Sequence, residues 1–198
     1  MSEICHGIKE RIFCGQLEAK NDLCYNEAEL EIKRKDRGEM HYTILCVGRI
    51  KEKFYSQAVL EYSKRLSRYA KTDIVEVPDE RTPDGASEAQ EEQIRKKEGD
   101  RLLGKLKESM YVIALDLRGK EFDSVSFAGH LGDCMLQGKS HLVFVIGGSL
   151  GLHKCVLERC DERISFSRFT FPHQLMRVIL LEQIYRANRI LQHEPYHK

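Results

Sequence analysis

The segment Gly147-Gly148-Ser149-Leu150-Gly151-Leu152-His153-Lys154 directly follows a strand-like run, and its bare backbone suits a ligand lying against main-chain amides. Two nucleotide-binding patterns do not fit it. A phosphate loop needs a Gly-Lys-Ser/Thr after its first glycine, and none follows this loop; the dinucleotide fingerprint Gly-x-Gly-x-x-Gly is also absent. Taken alone, the loop is explained as well by a tight strand-to-helix turn with no ligand. Cysteine offers less. Cys5, Cys14, Cys24, Cys46, Cys134, Cys155 and Cys160 contain no Cys-x-x-Cys, so incidental reduced thiols are expected, without a disulfide framework or a zinc knuckle.

The elements that must hold the glycine loop alternate between strand and helix. Tyr42 to Val47 is a nearly continuous β-rich run, and a helix follows with Tyr55, Val59, Tyr62, Leu66 and Tyr69 on one stripe. Asp73 to Val77, Met110 to Asp116 and His141 to Ile146 are further strands. Helices are expected over about Glu88 to Glu108, with Ser87 as N-cap, over Asp123 to Gln137, and from Pro172 or His173 to about Ile190. The first half of the helix from Glu88 is almost wholly charged and is expected to project into solvent. Such alternation implies an α/β fold with a mostly parallel sheet flanked by helices, whose ligand crevice lies at the carboxyl ends of the strands. Three rims qualify: Leu115-Asp116, Gly147-Gly148 and the segment after Ile164. The last helix carries apolar residues around more than one face, which points to a dimer interface.

The chain has 198 residues, 41% of them hydrophobic, and a formal net charge of +1, so charge alone makes it neither a basic nucleic-acid clamp nor an acidic tail protein. No apolar run is long enough to span a bilayer, no signal-peptide layout opens the chain, and a cytoplasmic protein is expected. Residues 1–39 hold seven basic and nine acidic residues and little apolar surface. They are expected to be a polar extension, loosely attached or disordered and dispensable, ahead of a domain over 40–198.

The run Phe144 to Leu152, the run Ile164-Ser165-Phe166-Ser167-Arg168-Phe169-Thr170-Phe171-Pro172-His173-Gln174-Leu175-Met176-Arg177 and the ending Glu194-Pro195-Tyr196-His197-Lys198 closely resemble the RlmH family. Val47 to Lys53 and Lys97-Glu98-Gly99 are similar to it as well. The resemblance covers residues 40–198. It implies a SPOUT-like methyltransferase domain with a C-terminal trefoil knot, a rare exception to un-knotted connections, and a homodimer. It also implies S-adenosylmethionine as cofactor and N3 of a pseudouridine in large-subunit ribosomal RNA, on the assembled ribosome, as substrate. Carried onto matching positions, the cofactor site comprises Leu115, Gly147, Gly148 and the loop Phe166, Ser167, Arg168, Phe169, Thr170 and Phe171.

N3 of the base carries a proton that must leave before nitrogen attacks the methyl, so the site needs a base and in-line placement, and no metal. By the resemblance, His197 stands near that base, with Tyr196 and Arg177 beside it as catalytic residues. Lys198, Arg186 and Arg189 are expected to hold RNA phosphates. Arg186 also lies four residues after Glu182, where a helix-surface ion pair explains it, and His173 near a helix start is ambiguous between catalysis and local hydrogen bonding. Two other classes compete. A binding-only module of the same fold is disfavoured by the intact glycines and tail, and a transfer-RNA methyltransferase by the lack of an added RNA-binding domain.

Overall fold

Strands with no polar face need cover on both sides of the sheet. In a computed structural model, which describes residues 40–196, β1 (His41–Val47) and β4 (His141–Ile146) lie side by side at the centre, and every residue after the first in each is buried. β2 (Lys71–Val77) pairs with β1, β3 (Tyr111–Glu121) with β4, and β5 (Glu162–Ser165) closes the edge beyond β3. The order is β2-β1-β4-β3-β5, and every pairing is parallel. Alternate residues feed two cores. Tyr42, Ile44, Ile113 and Phe144 pack on α1 (Lys53–Leu66), α3 (Ser124–Leu136) and α5 (His173–Leu191). Leu45, Val47, Val112 and Val145 face the other way, onto α2 (Glu88–Leu103) and α4 (Lys154–Arg159).

Several boundaries differ from expectation for identifiable reasons. α2 stops at Leu103 because Gly104 caps it, and it docks earlier than its charge suggests: Ile94, Glu98 and Gly99 are all buried. Gly99 lets the helix approach closely there, since a Cβ would stand 3.2 Å from both His153 and Val156. Ser87 does cap the helix, in a capping box with Gln90. β3 runs past Asp116 to Glu121 through a register shift, and within it Gly119 crosses the backbone of Ile164 so closely that a Cβ would sit 2.5 Å from its carbonyl carbon. α4 and β5, six and four residues long, carry too little periodicity to be read in advance.

The apolar girth of α5 has an explanation within the chain. The helix lies between α1 and α3 on one face of the sheet, with Leu180, Leu181, Ile184, Tyr185 and Ala187 buried, so its breadth does not by itself require a second copy. Residues 1–39, and with them the expectation of a dispensable extension, lie outside the described residues, as do His197 and Lys198. Among the described residues, no helix is long and apolar enough to cross a membrane.

Candidate functional site

Parallel strands gather their carboxyl ends on one rim, and there β3, β4 and β5 open on a cavity of about 760 Å³. All three rims named from sequence meet in it. Leu115 and Asp116 come from β3, Gly147 and Gly148 follow β4, and Phe166, Ser167, Phe169, Thr170 and Phe171 come from the loop after β5. Arg168, expected with them, does not line the cavity; its side chain is 93% exposed and reaches Glu121 at 3.6 Å. The loop is held locally, for the Ser165 hydroxyl donates to the Ser167 carbonyl at 3.1 Å and the Phe169 amide to the Ser167 hydroxyl at 3.0 Å.

The glycines answer first to the protein itself. A Cβ on Gly147 would lie 2.8 Å from the Gly151 carbonyl carbon, and one on Gly148 would lie 2.9 Å from Glu98 Oε2. The loop folds back through a Gly148–Gly151 bridge, with Gly151 at a φ of 80°, where a side chain is strained. Beneath it the Glu98 carboxylate accepts from the Glu80 amide at 2.9 Å, and burial raises its pKa above the ordinary carboxylate range. Lys97-Glu98-Gly99 therefore seats α2 under the glycine loop.

His173 lines the cavity as the first residue of α5. Burial, reinforced by the positive charge of Arg177, lowers its pKa, which favours a neutral imidazole able to accept a proton or hydrogen bond. The sequence marked His173 as ambiguous, and its position at the mouth of the strand ends could be found only from the fold. Ile146, Leu152, Leu157 and Met176 also line the cavity and supply apolar wall that no motif announced.

Arg177 stands elsewhere than expected. Its side chain is fully buried, with Nη1 2.5 Å from Glu76 Oε1, and Nη2 donating to the carbonyls of Val47 and Gly48 at 3.0 and 2.8 Å. It ties the end of β1 to β2 and α5 and does not line the cavity. Gln174 completes the joint by accepting from the Lys51 amide at 2.7 Å, which gives the Val47 to Lys53 motif its structural role.

Arg186 and Arg189 are likewise engaged. Arg186 pairs with Glu182 at 2.6 Å and lies 4.7 Å over the Tyr196 ring. Arg189 meets Glu194 at 2.8 Å and donates to the Pro195 carbonyl at 3.2 Å. With Tyr69, whose hydroxyl donates to Glu194 at 2.6 Å, they clasp the tail against α5. Tyr196 packs edge-on to Tyr185 at 5.1 Å and donates to Glu182 at 3.3 Å. Glu182 is six residues beyond the cavity residue Met176, roughly 9 Å along the helix, so the Tyr196 of this chain stands off the cavity of the same chain.

The family model described as "Predicted SPOUT methyltransferase" matches residues 40–197. The ribosomal RNA large subunit methyltransferase H of Clostridium novyi is 60% identical over 159 residues, which are 80% of this chain and all of that protein. The protein of the same name from Clostridium perfringens strain 13 is 55% identical over the same lengths. Among solved structures, a probable methyltransferase from Bordetella pertussis superposes with a TM-score of 0.47 at 14% identity, over 82% of this chain and 99% of that one. On a family match spanning most of its length, and on relatives this similar over their whole length, the chain belongs to the SPOUT methyltransferase family.

Proposed function

We propose that the protein is an S-adenosylmethionine-dependent RNA methyltransferase that methylates N3 of a pseudouridine in large-subunit ribosomal RNA, on the assembled ribosome, as a cytoplasmic homodimer. The observation that carries this reading is the cavity at the joined ends of β3, β4 and β5, among family members whose relatives bear the large-subunit methyltransferase name. Its residues fit the cofactor. Among the described residues lining the cavity, Asp116 and His173 are the ionisable side chains and no lysine or arginine opposes a sulfonium, while Leu115, Ile146, Leu152 and Phe166 offer apolar wall to an adenine. Main-chain groups of 147–151 and 166–171 are the polar partners at hand. When bound, S-adenosylmethionine supplies an electrophilic methyl group.

The chain's own residues must orient the base and take up the N3 proton. His197 is assigned the proton, and Tyr196 the contact with the base. Because Tyr196 is clasped well down α5 from the cavity of its own chain, the homodimer serves to bring one copy's tail to the other copy's cavity. Arg186 and Arg189 then act as positioning residues for that tail, and Lys198 meets RNA phosphate. A trefoil knot accounts for the tight crossing at Gly119, where β3 and the backbone leading into the cofactor loop pass each other. Deleting Tyr196 to Lys198 tests the assignment: calorimetric S-adenosylmethionine affinity should persist while methyl transfer is lost, and full transfer by the truncated protein would overturn the role of the tail.

A further inference from the structure

Away from the cavity, α3 and the first residue of β5 bring together three side chains that the methyl-transfer site does not use. His130 and Cys134 lie four residues apart on α3 and so share one face, and Glu162 opens β5. His130 Nε2 is 2.6 Å from Glu162 Oε1 and 4.0 Å from Cys134 Sγ, and all three donor atoms lie within 4.8 Å of one another. A histidine–glutamate ion pair explains the first contact; it does not explain a thiol, 1% exposed, turned toward the same imidazole nitrogen. We propose that His130, Cys134 and Glu162 form a three-ligand binding site for a borderline-soft divalent cation, zinc above all, which fastens β5 to α3.

The donor set selects the metal. One thiolate, one imidazole and one carboxylate are zinc ligands, whereas magnesium and calcium take oxygen alone. With bonds of about 2.0 Å to nitrogen and oxygen and 2.3 Å to sulfur, tetrahedral zinc needs N···O and S···N separations of roughly 3.3 and 3.5 Å. The nitrogen and oxygen must therefore part by about 0.7 Å and the sulfur close by about 0.5 Å, shifts within the reach of side-chain torsions. The imidazole plane is already set by stacking on Phe122, with centroids 5.1 Å apart and planes inclined by 29°. His130 and Glu162 each keep 20% of their side-chain surface exposed, which leaves a solvent-facing side for water as the fourth ligand. Lys139 is the nearby competitor for the carboxylate, and its ammonium rests 3.7 Å over the Tyr111 ring. Cysteine spacing cannot reveal such a site, because two of its ligands are not cysteine and Glu162 is 28 residues beyond Cys134. β5 leads directly into the loop that lines the cofactor cavity, so the clamp would steady that loop without joining the chemistry.

The test is cobalt(II) titration of the full-length, metal-stripped and reduced protein. One equivalent should produce thiolate-to-metal charge-transfer absorption with intense tetrahedral visible bands, and zinc should displace it. Cys134→Ala should lose the charge-transfer band. Glu162→Gln should keep the band and weaken cobalt binding by at least the roughly 10- to 100-fold that loss of even an outer partner costs. Absence of the band from the wild-type protein, or an unchanged band in Cys134→Ala, would overturn the proposal. If Cys134→Ala does not fold by circular dichroism, Glu162→Gln decides: undiminished cobalt affinity overturns the site, and weakened affinity with the band retained upholds it.

Discussion

Replacing Arg177 by Met keeps most of the side-chain volume and removes the guanidinium that joins Glu76 to the carbonyls of Val47 and Gly48. Breaking a buried ion pair from one side costs about 3–5 kcal/mol, and each stranded carbonyl about 1–3 kcal/mol. Glu76 keeps 30% of its side chain in solvent and can rehydrate, so the pair belongs at the low end, about 3 kcal/mol, and with two carbonyls at about 1 kcal/mol or more each the whole change comes to at least about 5 kcal/mol. For a folded unit of this size each kcal/mol moves Tm by about 2–4 °C, so Arg177→Met should melt at least roughly 10–20 °C below wild type. Arg177→Lys retains the charge but not the fork, and should fall between the two. Thermal and urea unfolding would be measured beside methyl transfer at a temperature where every variant is folded. Wild-type stability together with lost transfer would refute the structural role argued here and return Arg177 to the chemistry.

Gly119→Ala should prevent folding or lower Tm severely, because its Cβ would sit 2.5 to 2.7 Å from backbone atoms of Arg163 and Ile164; in α3, Gly129→Ala meets nothing within 4 Å and should stabilise by about 0.5–1 kcal/mol. Equal Tm shifts for the two would contradict the crossing described at β3. His173 has its pKa lowered in the folded protein, so the unfolded chain binds more protons just below pH 6.5, and stability should fall as pH drops through that value. Urea unfolding at pH 7.5 and 5.5 should show a smaller loss for His173→Gln than for wild type; the same loss in both would show that His173 is not buried as a neutral group.

The central architecture was legible because β1 and β4 have apolar residues on both faces, as strands covered on both sides do, and alternate with helices, as a parallel sheet requires. α5 was legible from its length. β5 was not, since Glu162-Arg163-Ile164-Ser165 contains one apolar residue and becomes a strand by pairing with β3. The rims of the cavity followed from strand ends, while the packing under its glycines did not: a Cβ on Gly148 would stand 2.9 Å from the carboxylate of Glu98, fifty residues earlier. Cations were visible and their partners were not. Arg177 finds Glu76 101 residues away, so a motif that placed it beside the site gave no sign that it would be buried. Arg186 is the exception, since Glu182 one turn earlier announced its pairing.

The most direct measurement is transfer of labelled methyl from S-adenosylmethionine to ribosomes that lack the endogenous modification, followed by mass spectrometry of the digested nucleosides. The account predicts one new product, N3-methylpseudouridine in large-subunit RNA. Retained cofactor binding with no methyl transferred to intact ribosomes would contradict it.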